Sequence, residues 1–304
     1  MLDVRNDVSL VVSSCDKYED AWKPYFELIK KYWPGHPQKI YLIAEEKGFH
    51  CPDLDIQVCN FDTNLTWSER LYHTLNRIES KYIIFSLEDF FLLDYVKQER
   101  IEECIAWMED NPQIAVCRLF SSDYSDLKPS EKYRDFYFAD NTVGFRLETQ
   151  AALWNRETLM SFIDLKEDPW QFEQEGTKRI LNTDKIFLWH KSDDLYRMDD
   201  KIFPYRILQT YGYGIAWGHW LWANKKWFKQ NGITGVKYRL GVLSKRTVNL
   251  RLKYLYNNNP PLFAKIIRPF WRLIVKLRKV KANISVDGVT KGLQNSLKQR
   301  KKSL

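Results

Sequence analysis

Between residues 8 and 119, short apolar runs rich in β-branched residues alternate with longer segments of helical spacing. The runs are VSLVVSS (8–14), KIYLIA (39–44), DIQVC (55–59), YIIFSL (82–87) and QIAVCRL (113–119), and helical spacing fills 21–32, 67–80 and 98–110. Cys15-Asp16-Lys17 and Pro34-Gly35 punctuate the first of these units. A strand apolar along its whole length has no face for water, so it belongs in a parallel sheet covered by helices on both sides. The expected class is therefore α/β with a mostly parallel, Rossmann-like sheet, whose ligands bind outside the carboxyl ends of the strands.

Beyond residue 120 the regularity weakens. Strands are predicted at 133–138 and 146–153 and a helix at 156–163, whereas 165–235, rich in Trp, Gly and paired charges, reads as long irregular loops of the kind that carry binding or catalysis. The expected organisation is a nucleotide-binding type of α/β half (1–120), a second half of the same domain that carries the binding or catalytic loops (121–255) and a basic tail (256–304).

Charge sets the tail apart. Residues 1–200 hold 24 Lys+Arg against 38 Asp+Glu, net −14, while 201–304 hold 23 against Asp287 alone, net +22. Stepping 100° per residue along 262–281 puts Phe263, Ile266, Ile267, Phe270, Trp271, Ile274 and Leu277 on one side and Lys265, Arg268, Arg272, Lys276 and Lys279 on the other. A bulky apolar face opposite a cationic one is the pattern of a helix lying in the plane of an anionic membrane surface, with Pro269 as a kink or start. The other reading is a helix packed on the domain with its basic face solvated. Nucleic acid is not an expected partner, because no helix-turn-helix, zinc-finger or RNA-recognition pattern is present. No h-region and no apolar stretch of spanning length occurs, which predicts a cytoplasmic protein peripheral on the inner face of the plasma membrane. Five cysteines without CxxC spacing suit reduced thiols.

One apolar run is interrupted by acids. Glu88 and Asp89 follow YIIFSL at the carboxyl end of the fourth predicted strand. Two adjacent carboxylates in such surroundings need a cation, and Mn²⁺ or Mg²⁺ bridging them to a diphosphate would supply it. The alternative is a strand-end turn with ordinary salt bridges. GxSxG, P-loop, GxGxxG and HExxH patterns are absent, which argues against serine hydrolases, P-loop NTPases, dinucleotide oxidoreductases and zincins.

The stretches VVSSCDKYEDAW (11–22), WSERLYHTLNRIESKYIIFSLEDFFLL (67–93), ALWNRETL (152–159) and DPWQFEQEGTKR (168–179) resemble bacterial GT-A-type glycosyltransferases of capsule, exopolysaccharide and lipopolysaccharide biosynthesis. The likeness spans 5–235, with Leu87-Glu88-Asp89 in place of that family's Asp-x-Asp metal motif, so a one-acid or metal-independent variant stays open. It implies a nucleotide-sugar donor held by Ser13, Ser14, Asp16 and Tyr18, and a lipid-linked saccharide acceptor. Arg70, opening the helix that leads to the acid pair, is a candidate for the diphosphate, with Glu88 beside it. Arg179 and His190 are further candidates for the diphosphate or a metal shell. Inverting transfer needs a base, for which Glu173 is the candidate, its neighbours Glu175 and Asp168 being the alternatives; Trp170 offers a stacking face for the acceptor sugar. Two other functions fit the same residues: nucleotidyl transfer, whose glycine-rich phosphate loop is replaced here by Ser13-Ser14-Cys15-Asp16, and a non-catalytic, membrane-bound carbohydrate-binding or assembly protein.

Overall fold

The first apolar run forms strand β1 (Val8–Ser13), preceded by helix α1 (Val4–Asp7) and followed by a short 3-10 turn at Asp16–Tyr18 and helix α2 (Glu19–Tyr32). Strands β2 (Lys39–Ala44) and β3 (Ile56–Asn60), helix α3 (Trp67–Arg77), strand β4 (Tyr82–Leu87), helix α4 (Gln98–Asp110) and strand β5 (Ile114–Ser122) continue the alternation. The computed structural model describes residues 2–122, 127–141, 143–191, 198, 200–206 and 212–258.

Strands β6 (Lys128–Pro129), β7 (Phe136–Phe138), β8 (Ala152–Asn155) and β9 (Ile186–Lys191) join the first five in a nine-stranded sheet of order β3-β2-β1-β4-β8-β5-β9-β7-β6. β1 is parallel to both β2 and β4, and β5 is parallel to β9, whereas β8 runs antiparallel between β4 and β5. The sheet is thus mostly parallel, as the apolar runs predict. From β1 the chain moves outward through β2 and β3, then returns to lay β4 on the other side of β1. Such a reversal opens a crevice at the carboxyl ends of the two central strands.

Alternate residues of the central strands feed two cores. Leu10, Val12, Tyr82 and Ile84 pack with Trp22, Phe26 and Ile29 of α2 and Ile101, Ile105 and Met108 of α4. Val11, Ile83 and Phe85 pack on the other face with Leu71 and Leu75 of α3, Leu159 of helix α5 (Arg156–Ser161) and Phe172 of helix α6 (Pro169–Arg179). Burying each large apolar side chain contributes about 1.5–3 kcal/mol, which is why the sheet interior tolerates so few polar residues.

Two expectations are corrected. The strand expected over 146–153 begins only at Ala152, because the Arg146 guanidinium binds the Ala139 carbonyl (2.8 Å), Asn141 Oδ1 (2.7 Å) and the Lys185 carbonyl (3.2 Å), fixing the preceding residues as a loop. The stretch 165–235 is not irregular throughout: it holds α6, β9, an antiparallel hairpin of β10 (Ile215–Ala216) and β11 (His219–Leu221), and helix α7 (Asn224–Gln230). Asp168 and Gln171 form a reciprocal cap with Pro169 at the first helical position, a strong helix start that outweighs the mixed composition.

The chain divides into two compact units, Met1–Val242 and Leu243–Leu304. The first unit takes in residues 1–120 and 121–242, and residues 243–255 of the second expected half fall in the other unit. In the second, helix α8 (Lys245–Asn258) starts after Ser244, whose Oγ accepts the Thr247 amide at 3.1 Å. The amphipathic segment 262–281 and the rest of the basic tail lie outside the described residues. No helix among the described residues is long and apolar enough to cross a membrane.

Candidate functional site at the carboxyl ends of β1 and β4

β1 and β4 pair from Val8↔Tyr82 to Ser13↔Leu87, so Ser13-Ser14 and Glu88-Asp89 leave the sheet side by side at the reversal point. Glu88 and Asp89 are each only 7% exposed, and neither forms an ion pair among the described residues. Burial pushes both carboxyls well above the ordinary carboxylate range, and the neighbouring Asp89 charge pushes Glu88 further. Their polar contacts are neutral: the Ser14 hydroxyl bonds to Glu88, and the Ile215 amide donates to Asp89 Oδ2 at 2.8 Å. Two buried adjacent carboxyls with no cation hold their charges poorly until one arrives. All-oxygen donors fit a hard divalent ion, which commonly takes one or two protein carboxylates and completes its shell with phosphate and water. Among the described residues no third His, Cys, Asp or Glu joins them, so Glu88 and Asp89 are the residues that would hold it.

The loop after β1 forms the facing wall. Trp67 Nε1, in the first turn of α3, donates to Ser13 Oγ at 2.8 Å, and Trp22 Nε1 donates to Ser14 Oγ at 2.7 Å. Both serines are thereby positioned by tryptophans from helices on opposite faces of the sheet. The Asp16 carboxylate accepts the amides of Glu45 (3.0 Å), Glu46 (3.0 Å) and Lys47 (3.1 Å), tying this loop to the one after β2. Glu45 answers by accepting the Asp16 amide at 3.0 Å and the Arg70 guanidinium at 2.5 Å. Arg70 Nε is buried without a hydrogen-bond partner. Tyr18 is half-buried, and burial followed by the charge of Glu88 raises its phenol pKa. Cys15 is pushed up to about 11 by burial and by Glu88, with Arg70 opposing. Tyr18, Cys15 and Glu88 therefore share one electrostatic neighbourhood, and Cys15 lies within the field of Arg70.

A second acidic pair lies on the β5 side. Thr149 donates to Glu173 Oε1 from both its amide and its hydroxyl, each at 2.8 Å, and burial raises the Glu173 carboxyl. The aromatic setting expected to do this is not its cause in full, since Trp170 is 69% exposed. Glu148 stands beside Glu173 and pairs with Arg118 Nε at 2.5 Å; burial nevertheless pushes Glu148 up to about 7. Arg118 lies over the Trp189 ring at 4.4 Å, where the β5–β9 register shifts. Such irregularities are common beside functional sites because they re-aim a side chain. Tyr205 connects the two acid pairs: its phenol feels Arg118 and Glu148 on one hand and Asp89 on the other, and its ring stacks on Phe90 at 4.3 Å.

Two candidates are engaged otherwise. Arg179 makes a bidentate pair with Glu167 (2.8 and 2.9 Å) and donates to the Phe162 carbonyl at 2.6 Å, which fastens α6 to the segment before it. His190 is buried against Phe136, and burial with the nearby cations holds it neutral, at about 3. Glu148 and Arg118 were missed in the sequence, although Arg118 carries the signal that exposed Glu88: a charge at the carboxyl end of an apolar strand.

No family model and no curated protein matches the chain. Among solved structures it is similar to Staphylococcus aureus TarS 1–349, at 12% identity over 62% of this chain and 58% of that one, TM-score 0.42. It is also similar to the mannosyltransferase PcManGT from Pyrobaculum calidifontis in complex with GDP-Man and Mn²⁺ (10%, 89% and 81%, 0.44). A cytidylyltransferase from Leptospira borgpetersenii is a third (10%, 86% and 99%, 0.40). The chain thus spans less than two thirds of the TarS fragment it matches. These likenesses are distant, and the function of the site is argued from its own residues.

Proposed function

We propose that the protein is a glycosyltransferase that moves a sugar from a nucleotide-sugar donor to an acceptor hydroxyl. The observation that carries this is the buried Glu88–Asp89 pair, which has no ion-pair partner among the described residues, beside Ser13-Ser14 at the reversal point of the sheet. A pair that gains from a divalent ion, at the place where such sheets take nucleotides, suits a ligand bearing a diphosphate. Glu88 and Asp89 would hold Mn²⁺ or Mg²⁺, whose charge would offset that of the departing nucleoside diphosphate. Ser13, Ser14, Asp16 and Tyr18 shape the donor wall, and Arg70, half-buried and paired with Glu45, adds a guanidinium at its edge.

Glu173 takes the acceptor proton. Its carboxyl, raised by burial and held by Thr149, is a stronger base than an exposed carboxylate, and burial pushes Glu148 beside it up to about 7. Exposed Trp170, at the start of α6, offers the acceptor sugar a face. The acceptor is a lipid-linked intermediate of a surface polysaccharide, met at an anionic membrane through the +22 carboxyl end.

The test is Mn²⁺-dependent release of nucleoside diphosphate from a panel of nucleotide sugars in the presence of membrane lipid extract. Wild-type protein should turn over one of them, and Glu173→Gln should lower the rate by about 100-fold or more while leaving donor affinity in place. Release of pyrophosphate from a nucleoside triphosphate and a sugar phosphate would instead make the chain a nucleotidyltransferase.

A further inference from the structure

We infer that α7, with the end of α2 beside it, is a lipid-facing surface of the first unit that lies against anionic phospholipid; the inference deepens the reading of a lipid-linked acceptor and rests on it. Asn224 and Phe228 bury one side of α7, and at 100° per residue Lys225, Lys226 and Lys229 share the exposed side. Residues 201–242 contain no Asp or Glu. Lys225 lies over the Tyr238 ring at 5.2 Å, and among the described residues no acid pairs with any of the three lysines. The cationic surface continues onto α2, where Lys31 Nζ donates to Asn231 Oδ1 at 2.8 Å and Lys23 Nζ to the Thr234 carbonyl at 3.0 Å. Acids on α2 are already paired, Glu19 and Asp20 with Arg239 and Glu27 with Lys30, while Asp94 remains beside Tyr32.

Amphipathic rings border these lysines. Tyr32 stacks on Trp227 with centroids 6.0 Å apart and 13° from parallel, Tyr213 meets Trp227 edge-on at 6.3 Å, and Tyr95, 59% exposed, meets Tyr32 edge-on at 5.4 Å. Lysines beside Tyr and Trp suit the headgroup level of a bilayer, where bases meet phosphate and rings enter the acyl boundary. A nucleic-acid platform needs open ring faces, whereas those of Tyr32 and Trp227 are turned to each other. The helix is also fixed to the surroundings of the acid pair. Trp227 Nε1 donates to the Leu92 carbonyl at 3.1 Å, and Phe228 meets Phe91 edge-on at 4.9 Å. The Asn224 side chain accepts the Gly214 amide (3.0 Å) and donates to the Gly214 carbonyl (2.7 Å), one residue before the Ile215 amide that binds Asp89. Docking of α7 therefore holds the donor crevice at a set distance from the lipid. The basic tail holds the chain at the membrane, and this surface sets how the first unit faces it.

The test labels lysines of the full chain with an amine-reactive reagent, free and bound to phosphatidylglycerol vesicles, and reads each site by mass spectrometry. Lys225, Lys226 and Lys229 should lose reactivity severalfold on the vesicles, while the exposed Lys128, Lys132 and Lys166 keep theirs. The triple variant Lys225→Gln, Lys226→Gln, Lys229→Gln should lower the vesicle partition coefficient about tenfold or more. Lys128→Gln, Lys132→Gln, Lys166→Gln, with the same change in net charge, should lower it less than about twofold. Unprotected α7 lysines, or equal losses in the two variants, would overturn the surface and leave the membrane reading standing. Loss of single-stranded oligonucleotide binding in the α7 variant, with vesicle binding intact, would overturn it in favour of nucleic acid. A wild type that does not bind the vesicles overturns both.

Discussion

Glu148 and Glu88 carry the clearest pH signature of any residues in the site. Each carboxyl is raised by burial, so between its unfolded value near 4.5 and its folded one the native state holds more protons than the unfolded chain. Stability contributed by such a group is lost as pH rises through that window, the reverse of a salt-bridged carboxylate. Metal-free wild type should therefore lose stability between pH 4.5 and 7 more steeply than Glu148→Gln, as read by denaturant midpoints across pH. A Glu148→Gln curve parallel to that of wild type would refute the buried-acid account. At this scale the sequence was legible where a charge broke an apolar run next to a second charge, as at Glu88-Asp89. It was silent where the partners come from distant segments. Arg118 and Glu148 lie on β5 and in the loop before β8, and only the antiparallel insertion of β8 between β4 and β5 brings them to the same end of the sheet as Asp89.

Among the elements, α6 links fold and site most directly, since it carries Glu173 into contact with Thr149 and is started by Asp168. Losing an N-cap carboxylate costs about 0.5–2 kcal/mol. Asp168→Ala should accordingly lower the melting temperature by a few degrees in a unit of this size, with donor affinity unchanged because the Asp168 carboxylate accepts the Gln171 amide of its own helix. A loss of nucleotide binding matching that of an acid-pair variant would mean that α6 shapes the donor site as well. The parallel strands and the helices between them were readable from periodicity alone, because each is long, apolar and closed by turn residues. The region after residue 120 was harder for physical reasons. β6, β7, β10 and β11 are two or three residues long, too short to show a period, and the loop before β8 has strand-like composition but is held out of the ladder by Arg146.

Across the whole molecule, an acidic stretch of net −14 up to residue 200 is followed by one of net +22. A charge of that size on one end gives about 1 kcal/mol of attraction for each base near an anionic lipid surface, enough to hold the chain there without a spanning helix. Removing residues 262–304 should abolish co-sedimentation with phosphatidylglycerol vesicles while leaving the melting temperature of Met1–Val242 in place. Undiminished co-sedimentation after that deletion would show that the tail is not the anchor. Nucleotide binding in the crevice is read out by the thermal stability of the full chain with UDP, GDP, dTDP and CMP, each with and without Mn²⁺. Binding at about 100 times Kd adds roughly 2.7 kcal/mol, so one nucleoside diphosphate should raise the melting temperature by several degrees, and only when Mn²⁺ is present. No shift with any nucleotide, in either condition, would contradict the assignment of a nucleotide-sugar site to Glu88 and Asp89.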